Sequence, residues 1–310
     1  MQESQTADCD FEDGLTAIDP VYLAPDKIEI MQFAPPGDLA PFVTQIYFFR
    51  CDEDRIQDFQ PASLGHLIFL LRGKGQLCFH DGHIDQLHRV AVFGPGTAAA
   101  KFTFAGPLYD FGLALSPLGF VALTGKAANH YADRAVAATE LFGPEIDVLA
   151  GQFQSGMNDG SMRFAGMVDA VSAFLLERVR KVPPAHIDLI QIVTDWLSRE
   201  LDPDVDHLYA QLTMSRSTAV RLITRYFGSA PKALMRKYRA LRAATILCDP
   251  TCTPELRAKI ESLFYDQPHM IREIRHFAGR TPGALDGDDC KILRLWLSRD
   301  SYRDIETYPG

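Results

Sequence analysis

The hydrophobic positions divide the chain into two parts with different periodicity. Between residues 42 and 116, apolar residues form short runs separated by Gly, Pro and Asp-Gly, a pattern typical of antiparallel strands. Asp81-Gly82 separates two runs and predicts a hairpin, because its tight turn requires positive φ. A turn is expected at 72–75, and separate strands are expected at 100–104 and 109–116. After Pro117 the apolar spacing becomes three and four residues, which predicts helices.

The longest helical stripe before the Pro183-Pro184 break lies between residues 163 and 181. Its apolar residues recur at helical spacing and form one face. Two interpretations remain open for this face, namely packing on its own domain or pairing with a second copy of the chain. Pro183 and Pro184 then interrupt the helix and mark a domain boundary.

The chain therefore divides into four segments. We expect a polar arm at 1–30, a β-rich domain with a helical C-terminal part at 31–183, an all-α domain at 184–286 and an extension at 287–310. The fold class is α+β. The arm lacks the basic start and apolar run of a secretory signal, and no run of 18 apolar residues occurs, so a cytoplasmic protein without membrane association is expected. Six scattered cysteines without a CxxC pair are expected to be reduced.

The charge is distributed unevenly along the chain. The net charge is −9, yet residues 205–286 carry 13 basic and 7 acidic side chains, a net of +6. A basic segment within an acidic protein is the distribution to look for in a DNA-binding protein.

A repeat lies within this basic segment. The first copy, LYAQLTMSRSTAVRLITRYFGSAP, spans 208–231, and the second, AKIESLFYDQPHMIREIRHFAGRTP, spans 258–282. Each copy has a capping residue, Ser215 or Asp266, with an arginine six residues later, and each ends in Gly-x-x-Pro. Two such units predict two helix-turn-helix motifs, which place recognition helices in successive turns of the major groove.

Residues 185–286 resemble the DNA-binding domain of the AraC/XylS family of bacterial transcription regulators. The segments that carry the resemblance are SRSTAVRLITRYFGSAPKALMRKYRALRAATIL and YDQPHMIREIRHFAGRTPGAL. PFVTQIYFF, HLIFLLRGKG and LSPLGFVALTG resemble the effector and dimerisation domains of that family more loosely. The resemblance implies a cupin-like sensor and dimerisation domain followed by two helix-turn-helix units.

The resemblance also implies roles for individual residues. Ala219, Leu222, Ile223, Met270, Ile274 and Phe277 are expected to face the core. The residues expected to read bases are Arg216, Ser217, Val220, Arg221, Gln267, His269 and Arg272. The residues expected to contact phosphates are Arg225, Lys232, Arg236, Lys237, Arg239 and Arg275.

Both copies depart from the family pattern in the turn between the two helices. Thr213 and Leu263 replace the turn glycine, and Tyr209 and Lys259 replace the small residue that lets the helices approach. A non-glycine residue with positive φ is strained by about 1 kcal/mol or more. Either the turns are built differently or one unit has lost tight DNA contact, and the second unit is the more doubtful.

Enzymatic alternatives have less support in the sequence. His80, His83 and His88 are close together but lack a glutamate at a suitable spacing for a metal site. Asp81, Asp85 and Asp110 are interpreted as surface carboxylates rather than a catalytic pair. We therefore expect a protein that is not an enzyme and has no cofactor.

The main functional prediction is a sequence-specific transcription regulator, either an activator or a repressor. Its expected partners are double-stranded DNA, a small-molecule effector in the N-terminal domain, a second copy in a homodimer and, for an activator, RNA polymerase. The alternative is a degenerate helix-turn-helix protein that acts as a protein-interaction module without tight DNA binding. The four turn substitutions and the acidic N-terminal half motivate that alternative.

Overall fold

The computed structural model describes residues 27–199, 201–249 and 251–285, so the expected extension at 287–310 and most of the expected arm lie outside the described residues. The strands are β1 (Ile28–Phe33), β2 (Val43–Cys51), β3 (Arg55–Gln60), β4 (Gly65–Cys78), β5 (Ile84–Gln86), β6 (Val90–Phe93), β7 (Ala100–Leu115) and β8 (Ala135–Ala137). The helices are α1 (Pro117–Thr124), α2 (Thr139–Phe142), α3 (Glu145–Asp159), α4 (Phe164–Leu176), α5 (Pro184–Arg199), α6 (Val205–Ala210), α7 (Arg216–Phe227), α8 (Pro231–Cys248), α9 (Pro254–Glu261) and α10 (Gln267–Ala278).

The β domain is one antiparallel sheet in the order β1-β2-β7-β4-β6-β8, with β3 on β7 and β5 on β4. The β4–β5 hairpin confirms the turn predicted at Asp81-Gly82, where Gly82 has φ +88°.

Three boundaries predicted in the β domain differ from the structure. The turn expected at 72–75 is wrong, because β4 continues through that segment with register shifts on either side of Arg72. The two strands expected within 100–116 are a single strand, β7, whose first part pairs with β3 and whose second part pairs with β2. Strand β1 begins at Ile28, within the segment expected to be an arm.

The two faces of the sheet are both apolar because successive side chains of a strand point to opposite sides. On one face, Ile46, Phe69, Phe111 and Leu113 pack in a core with residues of α1, α2, α3 and α4. Met167, Val171 and Leu175 of α4 are buried in this core, which confirms packing on its own domain for that part of the stripe. The opposite face carries a second cluster that includes Phe49, Ile68, Phe102 and Phe104, and it borders a cavity described below.

The C-terminal half of the described chain is helical, which confirms the α+β class. Helix α8 connects the two predicted helix-turn-helix units and packs mainly on α10, in a core that includes Leu241, Ile260 and Ile274. Helices α5 and α7 share a second core with Trp196 and Phe227. No helix in the described part of the chain is long and apolar enough to cross a membrane.

The cysteines agree only in part with the expectation of reduced thiols. Cys51, Cys248 and Cys252 are free, whereas Cys78 is disulfide-bonded.

Candidate nucleic-acid interface

The first helix-turn-helix unit consists of α6 and α7. The Ser215 hydroxyl accepts a hydrogen bond from the Thr218 amide and caps α7, as the sequence predicted. Helix α7 ends at Gly228, which has φ +80°. Ala219, Leu222 and Ile223 are buried, which confirms their predicted core positions.

The second unit consists of α9 and α10 and repeats this arrangement. The Asp266 carboxylate accepts from the His269 amide at 2.7 Å and caps α10, and Gly279 ends the helix with φ +86°. Met270, Ile274 and Phe277 are buried as predicted. The matching caps and buried faces give the two helices the same exposed register.

The residues expected to read bases lie mostly on these exposed faces. Arg221 and Arg272, each six residues after its cap, are exposed, as are Ser217 and Gln267. Val220 is half-buried. The sequence predicted the shared exposure of Arg221 and Arg272 only through the repeat.

Two of the expected base readers have protein partners. The Arg216 guanidinium is exposed but lies 3.1 Å from Asp206 and over the Tyr209 ring, at 4.7 Å from its centroid. Tyr209 stands where the family pattern has a small residue, and its ring lies under the Arg216 guanidinium. His269 is half-buried, with Nε2 3.3 Å from the Glu273 carboxylate. Both side chains therefore have partners within their own helix-turn-helix unit.

The residues expected to contact phosphates fall into two groups. Arg225, Lys232, Arg236 and Arg275 are exposed. Lys237 and Arg239 are buried, so the prediction for these two is corrected.

Lys237 and Arg239 are held by interior partners. Lys237 Nζ donates to the carbonyl oxygens of Ser63 at 3.0 Å and Gly96 at 2.8 Å, both in the β domain. Burial lowers the pKa of Lys237 to about 8. Arg239 donates to the Asp202 carboxylate at 3.1 Å and to the Glu273 carboxylate at 2.7 Å.

Glu273 is a buried acid within the second unit. It lies on α10 and accepts hydrogen bonds from Arg236 at 2.5 Å and from Arg239 at 2.7 Å, both on α8. Burial alone would raise the pKa of Glu273, but the hydrogen bonds from Arg239 and Arg236 lower it. The charge cluster therefore attaches α10 to α8, the helix that connects the two units.

The turns of both units are built without the glycine that the family pattern contains. Asp133 has the only positive φ among the non-glycine residues that the structure describes, so neither Thr213 nor Leu263 is strained in that way. The expected strain is wrong, and the alternative that the turns are built differently is confirmed. Leu263 instead packs partly buried against the core around Ile260.

Tyr265 is an exposed residue at the second unit that the sequence analysis did not single out. It is 93% exposed and directly precedes the Asp266 cap. An aromatic residue immediately before the N-cap of α10 was the available signal in the sequence.

The C-terminal end of α10 docks on the β domain. The carbonyls of His276 and Phe277 accept hydrogen bonds from the amides of Ala99 and Ala62, each at 2.8 Å. The last carbonyls of a helix lack partners within the helix, so the loops of the β domain satisfy them. Lys237 contacts the same two loops through Ser63 and Gly96, and the loop that contains Ser63 lies beside the cavity.

The cavity has a volume of about 450 Å³ and lies on the second face of the sheet. Tyr47, His66 and Asp110 line it, together with the loop at 60–64 and Lys237 of α8. Tyr47 and His66 are joined by a 3.3 Å contact between the hydroxyl and Nδ1. Asp110 was interpreted as a surface residue, and this is wrong because β7 directs it into the domain. The sequence analysis missed this group, for which the alternation of side chains along β7 was the only signal.

Two of the three histidines considered for a metal site, His80 and His83, lie beside carboxylates of the β domain. His80 Nδ1 lies 3.6 Å from the Asp133 carboxylate, and His83 contacts Asp81 and Asp85. No group of three potential ligands that could hold a metal ion occurs within residues 27–285 as far as they are described.

Comparison with known proteins gives limited similarity. Residues 31–137 match the model of a domain of unknown function, DUF6597. No curated protein matches the sequence. Among solved structures, the chain is similar to ToxT from Vibrio cholerae, with a TM-score of 0.43 and 7% identity over 78% of this chain and 97% of that one. A ToxT structure described as bound to unsaturated fatty acid gives a TM-score of 0.41 and 9% identity over 83% of this chain and 94% of that one.

Proposed function

We propose that the protein is a sequence-specific, effector-responsive transcription regulator of the AraC/XylS type. The observation that carries the proposal is the equivalence of α7 and α10. Each has a side-chain cap, a buried apolar face and an exposed arginine six residues after the cap, Arg221 or Arg272. An exposed arginine at this position can donate to O6 and N7 of a guanine, which contributes about 1–3 kcal/mol of discrimination.

The docking of α10 is compatible with groove entry. Its C-terminal carbonyls are bound to the β domain, but its exposed Gln267 and Arg272 lie in the first half of the helix. Recognition helices contact base edges mainly with their N-terminal residues. The end that is docked is therefore not the end that reads bases.

The exposed cations suit the role of phosphate ligands. Arg225, Lys232, Arg236 and Arg275 lie on the two recognition helices and on α8 between them. Phosphate contacts of this kind provide affinity and orientation without selecting a sequence. The net charge of +6 over residues 205–286 favours approach of a polyanion to this part of the chain.

An effector in the β domain has a direct route to the DNA-binding units. The loop at 60–64 borders the cavity, and within it Ala62 donates to α10 while the carbonyl of Ser63 accepts from Lys237 of α8. A ligand that displaces this loop changes contacts with both helices at once. Such differential contact is what an effector needs in order to shift a conformational equilibrium.

The test is selection from a random duplex library with the full chain. We expect enrichment of a site with two parts about 10 base pairs apart. Arg221→Ala should remove preference at one part and Arg272→Ala at the other. Arg89→Ala, which removes an exposed arginine of the β domain, is the matched control and should leave the site unchanged. Enrichment of a site with only one part would contradict the proposal that both α7 and α10 contact bases.

The second candidate function is a protein-interaction module that has lost tight DNA binding. The docking of α10 on the β domain favours it, since these contacts restrain the second unit. Binding to a generic duplex distinguishes the two. A regulator loses affinity steeply as salt rises, whereas an interaction module has no duplex affinity to lose.

The remaining parts of the proposal concern partners and location. A homodimer, a cytoplasmic location and, for an activator, contact with RNA polymerase complete the proposed regulator. Light scattering on the purified full chain tests the homodimer, because a monomeric mass at micromolar concentration would contradict it.

A further inference from the structure

The cavity in the β domain contains an acidic group whose partner is missing. Asp110 Oδ1 is buried and has no hydrogen-bond partner among the described residues. A buried polar atom without a partner costs about 1–3 kcal/mol, so such atoms are uncommon unless a ligand or ordered water completes them. Asp110 is therefore the group in this cavity that a ligand would satisfy.

The surroundings of Asp110 indicate what kind of ligand group fits. Its neighbours on the same face are aromatic and aliphatic, including Phe49, Ile68 and Leu108. Gly112, the next residue on this face, leaves room for the Tyr47 ring, since a Cβ there would lie 2.3 Å from the Tyr47 hydroxyl oxygen. Aromatic faces attract organic cations, and a carboxylate pairs with them.

The basic group at the cavity is already occupied. Lys237 donates to the carbonyls of Ser63 and Gly96, and an acidic ligand would have to compete with both bonds. His66 is not a cation at neutral pH, because burial and the nearby Lys237 lower its pKa to about 4. The group in the cavity that lacks a partner is thus the Asp110 carboxyl, and this group favours a positively charged ligand.

On this basis, and resting on the proposed effector site, we propose that the cavity binds a small organic amine whose ammonium group pairs with the Asp110 carboxylate and whose apolar body lies against Phe49 and Tyr47. The 450 Å³ volume suits a ligand of modest size. The hydroxyl of Tyr47 and the imidazole of His66 provide further polar contacts beyond the ammonium group.

Binding of this kind releases a proton. Burial raises the pKa of Asp110 to about 8, so the free protein carries the neutral acid at pH 7. An alkylammonium retains its proton to about pH 10. Pairing converts the acid and the ammonium into a carboxylate–ammonium pair and expels one proton to solvent. Tyr47, His66 and Lys237 are the other titratable groups at the cavity, and none is expected to ionise further at pH 7 on binding.

The experiment is calorimetric titration of the full chain with two matched probe series. The first is 2-phenylethylamine, 2-phenylethanol and phenylacetate, and the second is hexylamine, hexanol and hexanoate. We expect each amine to bind at least tenfold more tightly than its alcohol or acid. Titrations in buffers of different ionisation enthalpy should show release of about one proton at pH 7, and amine affinity should rise between pH 6 and pH 8.

Two variants assign the site. Asp110→Asn preserves the shape of the side chain and should abolish both the proton release and the preference for the amine, while binding of the alcohol is retained. Ala114→Leu fills the cavity from the same face of β7 and should reduce binding of every probe. The melting temperature of each variant shows whether it is folded.

Three outcomes would overturn the inference. These are tightest binding by the acids, equal binding of amine and alcohol, and failure of both amines to bind the folded protein. The duplex selection is performed without any probe, so it separates this inference from the proposed function. If the amines bind but no duplex is selected, the protein binds a ligand and the proposed regulator function is wrong. If a duplex is selected but the amines do not bind, the regulator function stands and only the proposed class of ligand is wrong.

Discussion

The guanidinium of Arg280 donates to the carboxylate of Asp58 across 222 positions of sequence, with Nη2 3.1 Å from Oδ1. Asp58 lies on β3 of the sheet, and Arg280 follows the last residue of α10 by two positions. The Asp58 side chain is 3% exposed and that of Arg280 is 19% exposed. The pair therefore connects the β domain to the second helix-turn-helix unit in a largely water-free environment.

Breaking this pair should weaken the docking of the two halves. We expect Arg280→Met to destabilise the protein by about 2 kcal/mol, because it leaves the buried Asp58 carboxylate without this partner. Asp58→Asn should cost a similar amount, and the double variant should cost less than the sum. Denaturant unfolding of the four proteins gives the coupling energy, expected at about 1–2 kcal/mol. Additive effects would mean that the pair contributes nothing to docking.

The glycine that ends α10 is required by both its conformation and its neighbour. Gly279 has φ +86°, and a Cβ there would lie 2.4 Å from Cγ of Phe59 on β3. Gly279→Ala should therefore destabilise the protein by about 2 kcal/mol or more. Gly283→Ala is the matched control, since a Cβ there meets nothing within 4 Å.

The two causes can be separated in a second step. Gly279→Ala combined with Phe59→Gly removes both the ring and the Cβ of Phe59 that the new methyl group would meet, but not the backbone strain, so it should recover part of the loss relative to the sum of the single variants. Thermal unfolding measures these differences. Equal stabilities of the two glycine variants would show that α10 does not end against Phe59.

The local features of the DNA-binding half could be predicted from sequence because they depend on short-range rules. Ser215 and Asp266 were identified as caps from their position before an apolar helical pattern, and both accept the expected hydrogen bond. The buried faces of α7 and α10 were expected from the resemblance of these segments to the AraC/XylS family, and the buried residues agree with that expectation. Each of these inferences involves residues only a few positions apart.

The features that were missed depend on contacts between distant residues. Lys237 lies in a basic helix and has the sequence context of a surface cation, but its ammonium group reaches carbonyls more than 140 positions away. Asp110 follows Tyr109 in a strand whose alternation alone does not reveal which face borders a cavity. Strand β4 crosses an expected turn because register shifts accommodate Arg72 and Gly73 within the ladder. Nothing in the local pattern specifies these pairings.

Because Lys237 is buried and Arg275 is exposed, their removal should affect the salt dependence of duplex binding differently. Arg275 is exposed and is proposed to contact a phosphate, so Arg275→Ala should reduce the salt slope of generic duplex binding by about 0.9. Lys237→Met removes the same charge from the interior and should leave the slope unchanged. Fluorescence anisotropy over a range of salt concentrations measures both. A reduced slope for folded Lys237→Met would show that Lys237 leaves its carbonyl partners when DNA binds.

The stability of the second unit should depend on acid through Glu273. Its folded pKa lies below the ordinary value because hydrogen bonds from Arg239 and Arg236 outweigh the effect of burial. A carboxyl whose pKa is lower in the folded state binds fewer protons there than in the unfolded state. Its contribution to stability is therefore present above about pH 4.5 and is lost as the pH falls through the folded value.

Glu273→Gln tests this assignment, because it retains the shape of the side chain but removes its charge. At pH 7 we expect a loss of about 3 kcal/mol, since Arg239 remains buried with one carboxylate fewer. The difference from the parent protein should shrink as the pH falls below about 4.5, where the parent also loses the charge. Glu261→Gln removes an exposed carboxylate of α9 and controls for net charge. A difference that stays constant from pH 7 to pH 3 would mean that Glu273 acts through packing and not through its ion pairs.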